Sequence, residues 1–161
     1  MRYVLRQKLF SWSDSYVIRN ENDDPVYQVK GEVFSLGKKL SFQDMEGREL
    51  VFIRQRLLTL RPKYEISRDG ETLAVVEKAW TFFKCRFSVD VPGPDDYEAA
   101  GDFMDHEYEF EQYGETAATI SKKWFSWTDS YGVDIAAGHD EVMLLACAVV
   151  IDAICHDGKG D

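Results

Sequence analysis

The sequence predicts a mainly β protein, with about twelve short strands wrapped around one apolar helix near the C-terminus. Three observations predict it. Val142 to Ile151 reads V-M-L-L-A-C-A-V-V-I, apolar at all ten positions and closed by Glu141 and Asp152. A helix that is apolar all round is enclosed by protein or by lipid, and this run is well below the roughly 20 residues of a membrane span. Most of the upstream chain instead alternates apolar and polar residues, the period of a half-buried strand. Finally, one hairpin pattern occurs twice. Tyr64-Glu65, Gly70-Glu71-Thr72, Ala74, Lys78 and Trp80 recur as Tyr108-Glu109, Gly114-Glu115-Thr116, Ala118, Lys122 and Trp124, at an offset of 44. Tyr64, Ile66, Ala74 and Val76 correspond to Tyr108, Phe110, Ala118 and Ile120. The same side of the hairpin therefore points inward in both copies.

The chain of 161 residues reads as one domain, with strands over about 2–135 and the central helix over about 140–156. The first strand is Tyr3–Phe10, and Ser15–Arg19 returns after a turn at Ser11 to Asp14. The cluster Asn20 to Pro25 is a turn, followed by a strand over Val26–Lys30. Phe34, Leu36, Leu40 and Phe42 alternate with polar or small residues, interrupted at Gly37-Lys38-Lys39, as in a hairpin or a bent strand. Met45-Glu46-Gly47 turns into Glu49–Gln55. Leu57–Leu60 has no clear period, and Pro62 marks an edge or a bend. Asp69-Gly70 between Tyr64–Arg68 and Glu71–Lys78 is a type I′ turn signature. Phe83 to Val91 alternates cleanly, and Pro92-Gly93-Pro94 stops it. Tyr97–Asp102, Phe103–Gln112, Glu115–Trp124 and Ser130–Ile135 complete the strands. Asp140 stands at the helix N-cap, and Gly158 at its C-terminal cap.

Charge is unevenly spread over a chain of net −10. Residues 38–86 carry eleven basic and seven acidic side chains, whereas residues 87–121 carry ten acidic and none basic. The overall balance disfavours generic nucleic-acid binding, which needs basic surface. Cys85, Cys147 and Cys155 have no metal-type spacing and read as buried free thiols. That fits a reducing compartment. Met1 runs directly into charged, strand-like sequence without a signal-peptide pattern, so the expected location is cytoplasmic, with a peripheral membrane association if a lipid site exists.

A second repeat links the ends. Lys8 to Tyr16 (K-L-F-S-W-S-D-S-Y) matches Lys123 to Tyr131 (K-W-F-S-W-T-D-S-Y) at seven of nine positions. Its residues read as turn and barrel-packing residues, ahead of the alternative of paired ligand sites. With L-x-x-L-R-P-x-Y-E-I at Leu57 to Ile66, G-D-F-x-x-H-E-Y at Gly101 to Tyr108 and S-K-K-W-F-S-W at Ser121 to Trp127, the whole chain resembles the LURP-one-related family. This family stands with the Tubby C-terminal-like proteins and the phospholipid scramblases. The resemblance implies a closed antiparallel barrel of about twelve strands threaded by a hydrophobic C-terminal helix. It implies less about activity. Tubby domains bind phosphoinositide head groups through basic side chains on the barrel exterior, scramblases act at membranes, and plant members are linked to pathogen defence. Fold alone does not transfer such roles.

The candidate ligand-binding residues are Arg54, Arg56, Arg61 and Lys63, with Lys38 and Lys39 nearby. Arg54 and Arg56 are two apart on a strand, so they project from one face, a fork suited to phosphate. The competing reading is a solvated outer face balanced by Glu65 and Asp69. Asp95, Asp96, Glu98, Asp102, Asp105 and Glu107, with His106, could offer oxygen ligands to calcium or magnesium. They lack a metal-loop register and read as a solvated acidic face. Asp152 and His156 share one helix face and suit either an acid–base pair or a helix leaving the barrel mouth; His139 is unremarkable. No nucleophile elbow, P-loop, dinucleotide fingerprint or zinc spacing is present. The expected function is therefore a non-enzymatic binding or scaffold module that recognises phospholipid or phosphoinositide head groups, with no catalytic residue, metal or cofactor. The alternative is a protein-interaction or self-associating module using aromatics near Trp12 or Trp127. A metal-dependent enzyme is a distant third.

Overall fold

A computed structural model describes residues 1–6, 15–32, 36–80, 85–124 and 130–156. Trp12, Phe34, Phe83, Trp127 and Gly158 lie outside the described residues, as does most of both F-S-W repeats. Twelve strands run in order: β1 (Arg2–Arg6), β2 (Ser15–Asn20), β3 (Pro25–Gly31), β4 (Lys39–Asp44), β5 (Glu49–Gln55), β6 (Lys63–Arg68), β7 (Glu71–Trp80), β8 (Cys85–Asp90), β9 (Tyr97–Asp102), β10 (Glu107–Gln112), β11 (Glu115–Ser121) and β12 (Ser130–Ile135). One helix follows, α1 (Glu141–His156). Each strand pairs antiparallel with its sequence neighbours, and β1 pairs with β12, so the sheet closes into a barrel.

Closure makes room for the helix. Eight strands leave an interior that side chains alone can fill, and the diameter grows with strand number. Twelve strands accommodate a rod about 10–12 Å across. The residues from Met143 to Ile151, and Ala153, are all buried. They pack against β5, β6, β7 and β12. Alternate strand residues face them: Leu40 and Phe42 on β4, Val51 and Ile53 on β5, Phe87 and Val89 on β8, and their counterparts around the ring. The expected sheet around a greasy helix is the observed architecture.

Polar groups pin both ends of the rod. Asp140 caps the first turn, accepting from the Met143 N–H at 3.0 Å. Its carboxylate also holds Arg68 at 3.0 and 3.3 Å. Next to it, the Tyr3 hydroxyl donates to Glu141 at 2.6 Å. Tyr97 and His139 share a hydrogen bond of 2.8 Å at the same mouth.

The hairpin repeat survives in atomic detail. Tyr64 pairs with Val76 and Ile66 with Ala74, with a register shift after Ile66. Tyr108 pairs with Ile120 and Phe110 with Ala118, with a shift after Phe110. Thr72 donates to Glu65 at 2.7 Å in one copy, and Thr116 to Glu109 at 3.2 Å in the other. Both turns take two left-handed residues, Asp69-Gly70 (φ 52° and 81°) and Tyr113-Gly114 (φ 53° and 77°). That is the I′ backbone whose twist matches the flanking strands. Tyr113 carries a larger side chain there than the turn prefers, and its hydroxyl is held by Asp95.

Several boundaries differ from the sequence reading. The first strand is seen over Arg2–Arg6, and the rest of the expected strand to Phe10 lies outside the described residues. Phe103 to His106 form a turn before β10, where a continuous strand was expected. Strand β11 stops at Ser121. Leu36 does not join Leu40 and Phe42 inside; it is exposed beside Gly37. Leu57 to Leu60, which the sequence left unassigned, form an exposed loop. Of the three free cysteines only Cys147 is buried; Cys85 and Cys155 are half-buried. Burial still pushes the Cys155 thiol up to about 11, so it is not an activated nucleophile.

Candidate functional site

The four candidate cations lie together where β5 ends and β6 begins. Arg54 is opposite Glu65 in the β5–β6 register. Arg56 follows the same outward face and reaches the same carboxylate, at 2.5 Å, with Arg54 at 3.4 Å. Thr72 donates to the other Glu65 oxygen. This donation, and then the Arg56 and Arg54 charges, hold the Glu65 carboxyl below its usual range. One anion thus serves two guanidinium groups. Lys63 pairs with Glu77 at 3.5 Å, and Lys39 stands across from Arg54 on β4. Among the described residues the Arg61 side chain has no hydrogen-bond or ion-pair partner; only its backbone carbonyl is engaged, by the Thr59 hydroxyl at 2.7 Å. The corner keeps a surplus of positive charge, and each of these side chains is at or near the surface.

The same corner carries an apolar tip that the sequence reading missed. Leu58 and Leu60 are fully exposed, at 106% and 105%, with Leu36 at 86% and Leu57 at 51%. Two loops build it. The Gln55 N–H donates to the Lys38 carbonyl at 2.8 Å, and the Gln55 side chain accepts from the Lys38 N–H at 3.0 Å. Leu57 packs on Gly37, 3.0 Å from where a Cβ would sit. At the loop base, the Arg56 N–H donates to the Lys63 carbonyl at 2.9 Å. Leu58 adopts φ 60°, a left-handed conformation that costs a leucine free energy. The signal in the sequence was L-L-x-L between arginines and ahead of Pro62.

A third arrangement joins residues that the sequence placed in separate groups. His106 sits on the β9–β10 turn at φ 53°, with its ring buried. Its Nε2 is 2.7 Å from an Asp152 oxygen, and His156 Nε2 is 3.6 Å from the same oxygen. These ligand-type atoms lie within 4.8 Å of one another. The geometry does not fit an ion shared by both rings. The two imidazoles are parallel to 6° with centroids 4.6 Å apart. Each nitrogen lone pair lies in its own ring plane, so stacked parallel rings cannot both aim at one metal. His106 Nδ1 is buried without a partner, whereas a metal-bound histidine anchors its second nitrogen. An orphan acceptor is tolerated better than an orphan N–H, which puts the proton on Nε2, donating to Asp152. The arrangement clasps the helix end to the barrel, with Tyr131 stacked on His106 at 4.2 Å.

The remaining acidic candidates have structural duties. Asp96 accepts the Val91 N–H, Asp102 accepts the Asp105 N–H, and Glu107 accepts Ser121 and the Lys122 N–H. Glu98 pairs with Arg86 at 2.5 Å. A shallow cleft of about 320 Å³ lies along this wall, between Arg86, Asp90, Glu98, Glu111 and Tyr113. Burial, then the charges of Asp96 and Glu77, raise the Asp90 carboxyl.

A LURP-one-related profile matches residues 1–152. The chain belongs to the LURP-one-related family. This LURP-one-related protein is 34% identical over 157 residues to the uncharacterised protein YxjI of Bacillus subtilis strain 168, covering 98% of this chain and 95% of YxjI. Its fold matches the X-ray structure of AT5G01750 from Arabidopsis thaliana with a TM-score of 0.72 at 16% identity. That match spans 95% of this chain and 90% of the plant protein, and at this identity it speaks to fold alone. Among the described residues no helix is long and apolar enough to cross a membrane.

Proposed function

We propose that this LURP-one-related protein is a non-enzymatic binding module that recognises anionic phospholipid head groups through Arg54, Arg56, Arg61 and Lys63. The observation that carries the reading is the sharing of Glu65 by Arg54 and Arg56 beside Arg61. The shared carboxylate orients both guanidinium groups yet neutralises only one charge. A phosphate arriving at this corner meets donors already held in a fork. The bulk of the acidic sequence does not oppose it there. Strands β9 to β11 carry that charge, and from β6 the ring runs three strands to β9 and four to β10. Three strands at about 4.8 Å each already exceed the screening length of about 8 Å in physiological salt.

Vesicle flotation tests this. The protein should float with vesicles containing phosphatidylserine or phosphoinositide at low salt and stay down with neutral phosphatidylcholine. Arg54→Glu/Arg56→Glu should abolish flotation while leaving the melting transition cooperative. Flotation that ignores both lipid charge and this double substitution removes the proposal.

A further inference from the structure

We propose that the leucine tip beside the cations is a membrane-insertion device, in which Leu36, Leu57, Leu58 and Leu60 enter the outer hydrocarbon of an anionic bilayer. The inference rests on the head-group reading above and adds a second, apolar mode of attachment. Three features carry it. The leucines protrude: Leu58 and Leu60 are as exposed as free side chains, so they offer no groove or shaped pocket to a protein partner. Leucine is also under-represented among protein–protein hot spots, where Trp, Tyr and Arg dominate. The surroundings are cationic: Arg56 and Arg61 bracket the leucines of the β5–β6 loop in sequence, Arg54 and Lys63 lie on the strands that carry that loop, and Lys39 stands across from Arg54. Apolar side chains ringed by Lys and Arg suit the boundary between head groups and acyl chains.

The tip is also built to stay out. A floppy apolar loop would collapse onto its own barrel. Here Lys38 and Gln55 stitch the two loops together, Arg56 and Lys63 close the loop base, and the Pro62 carbonyl accepts the Lys78 N–H at 3.0 Å. The left-handed Leu58 is strain held in place by these bonds. Consecutive antiparallel strands put the β3–β4 and β5–β6 connections at one mouth of the barrel, so all four leucines leave from the same end.

The test compares the wild-type chain with Leu58→Ser/Leu60→Ser, and independently with Leu36→Ser. All three positions are exposed, so the variants should melt as the wild type does. Wild-type protein injected beneath a phosphatidylserine monolayer should raise the surface pressure, and the double variant should not. In co-sedimentation with phosphatidylserine vesicles the double variant should bind at least about ten-fold more weakly, since burying a single leucine is worth about that factor. Leu36→Ser should weaken binding in the same direction. If wild-type protein binds these vesicles but both leucine variants match it in affinity and pressure response, insertion is wrong and head-group recognition stands. If wild-type protein binds no anionic vesicle at all, both readings fall.

Discussion

Gly101→Ala tests the barrel wall at its tightest point. Gly101 adopts φ 140°, a conformation open to glycine and strained for any other residue. An added Cβ would sit 2.6 Å from the Glu107 carbonyl oxygen and 2.6 Å from Tyr108 Cα. These are backbone atoms of the paired strand, since Gly101 stands opposite Tyr108 in the β9–β10 register. They cannot yield without disturbing that pairing and the neighbouring His106. Strain of about 1–3 kcal/mol and overpacking of about 1–3 kcal/mol together predict a loss of roughly 2–6 kcal/mol. At a slope of about 2 kcal/mol/M, the middle of the usual range, the urea midpoint should fall by about 1–3 M. Gly47→Ala is the control: its φ is also positive, at 86°, but nothing lies within 4 Å of the added carbon. It should lose only the conformational part. Equal midpoints for the two variants would refute the close-approach argument.

Three further outcomes follow from the same structure. Leu145→Ala should cost about 2–5 kcal/mol by opening a cavity in the rod; Leu145→Asp should not fold, because its charge would be buried without a partner. A soluble variant that unfolds cooperatively would mean that this helix face is wet. Asp140→Ala removes a helix cap and leaves Arg68 without this carboxylate; a loss of about 0.5–2 kcal/mol from the cap alone is expected, and an unchanged melting temperature would argue that the cap is idle. The Glu65 carboxyl is depressed in the fold, so its contribution is complete above its ordinary value of 4.5 and disappears as pH falls through the folded value. Melting curves of wild type and Glu65→Gln should therefore differ most near neutrality and converge in acid; a gap that widens on acidification has the wrong sign.

Much of the fold was legible because its signals are local. Glu49–Gln55, Tyr97–Asp102 and Ser130–Ile135 were read with their observed boundaries, since alternation and flanking turn residues state both the face and the ends. The apolar rod was legible because no soluble surface tolerates ten such positions. What failed was non-local or depended on solvent. Leu57 to Leu60 show no clear period, and nothing local says that water surrounds them. Leu36 fits an alternation that the loop at Gly37 then breaks. His106 sits in an acidic run, yet a left-handed turn residue swings its ring onto Asp152, 46 positions later. The cationic fork was read from the spacing of Arg54 and Arg56. Glu65 was named as balancing these arginines, but that both share it follows only from the β5–β6 register.

The most direct test of the account is hydrogen–deuterium exchange of the protein with and without phosphatidylserine vesicles. Protection should appear in segments 36–40 and 54–63 and be absent from the acidic strands over 97–121. Protection on the acidic wall, or no change anywhere under conditions where the protein floats with the vesicles, would contradict it.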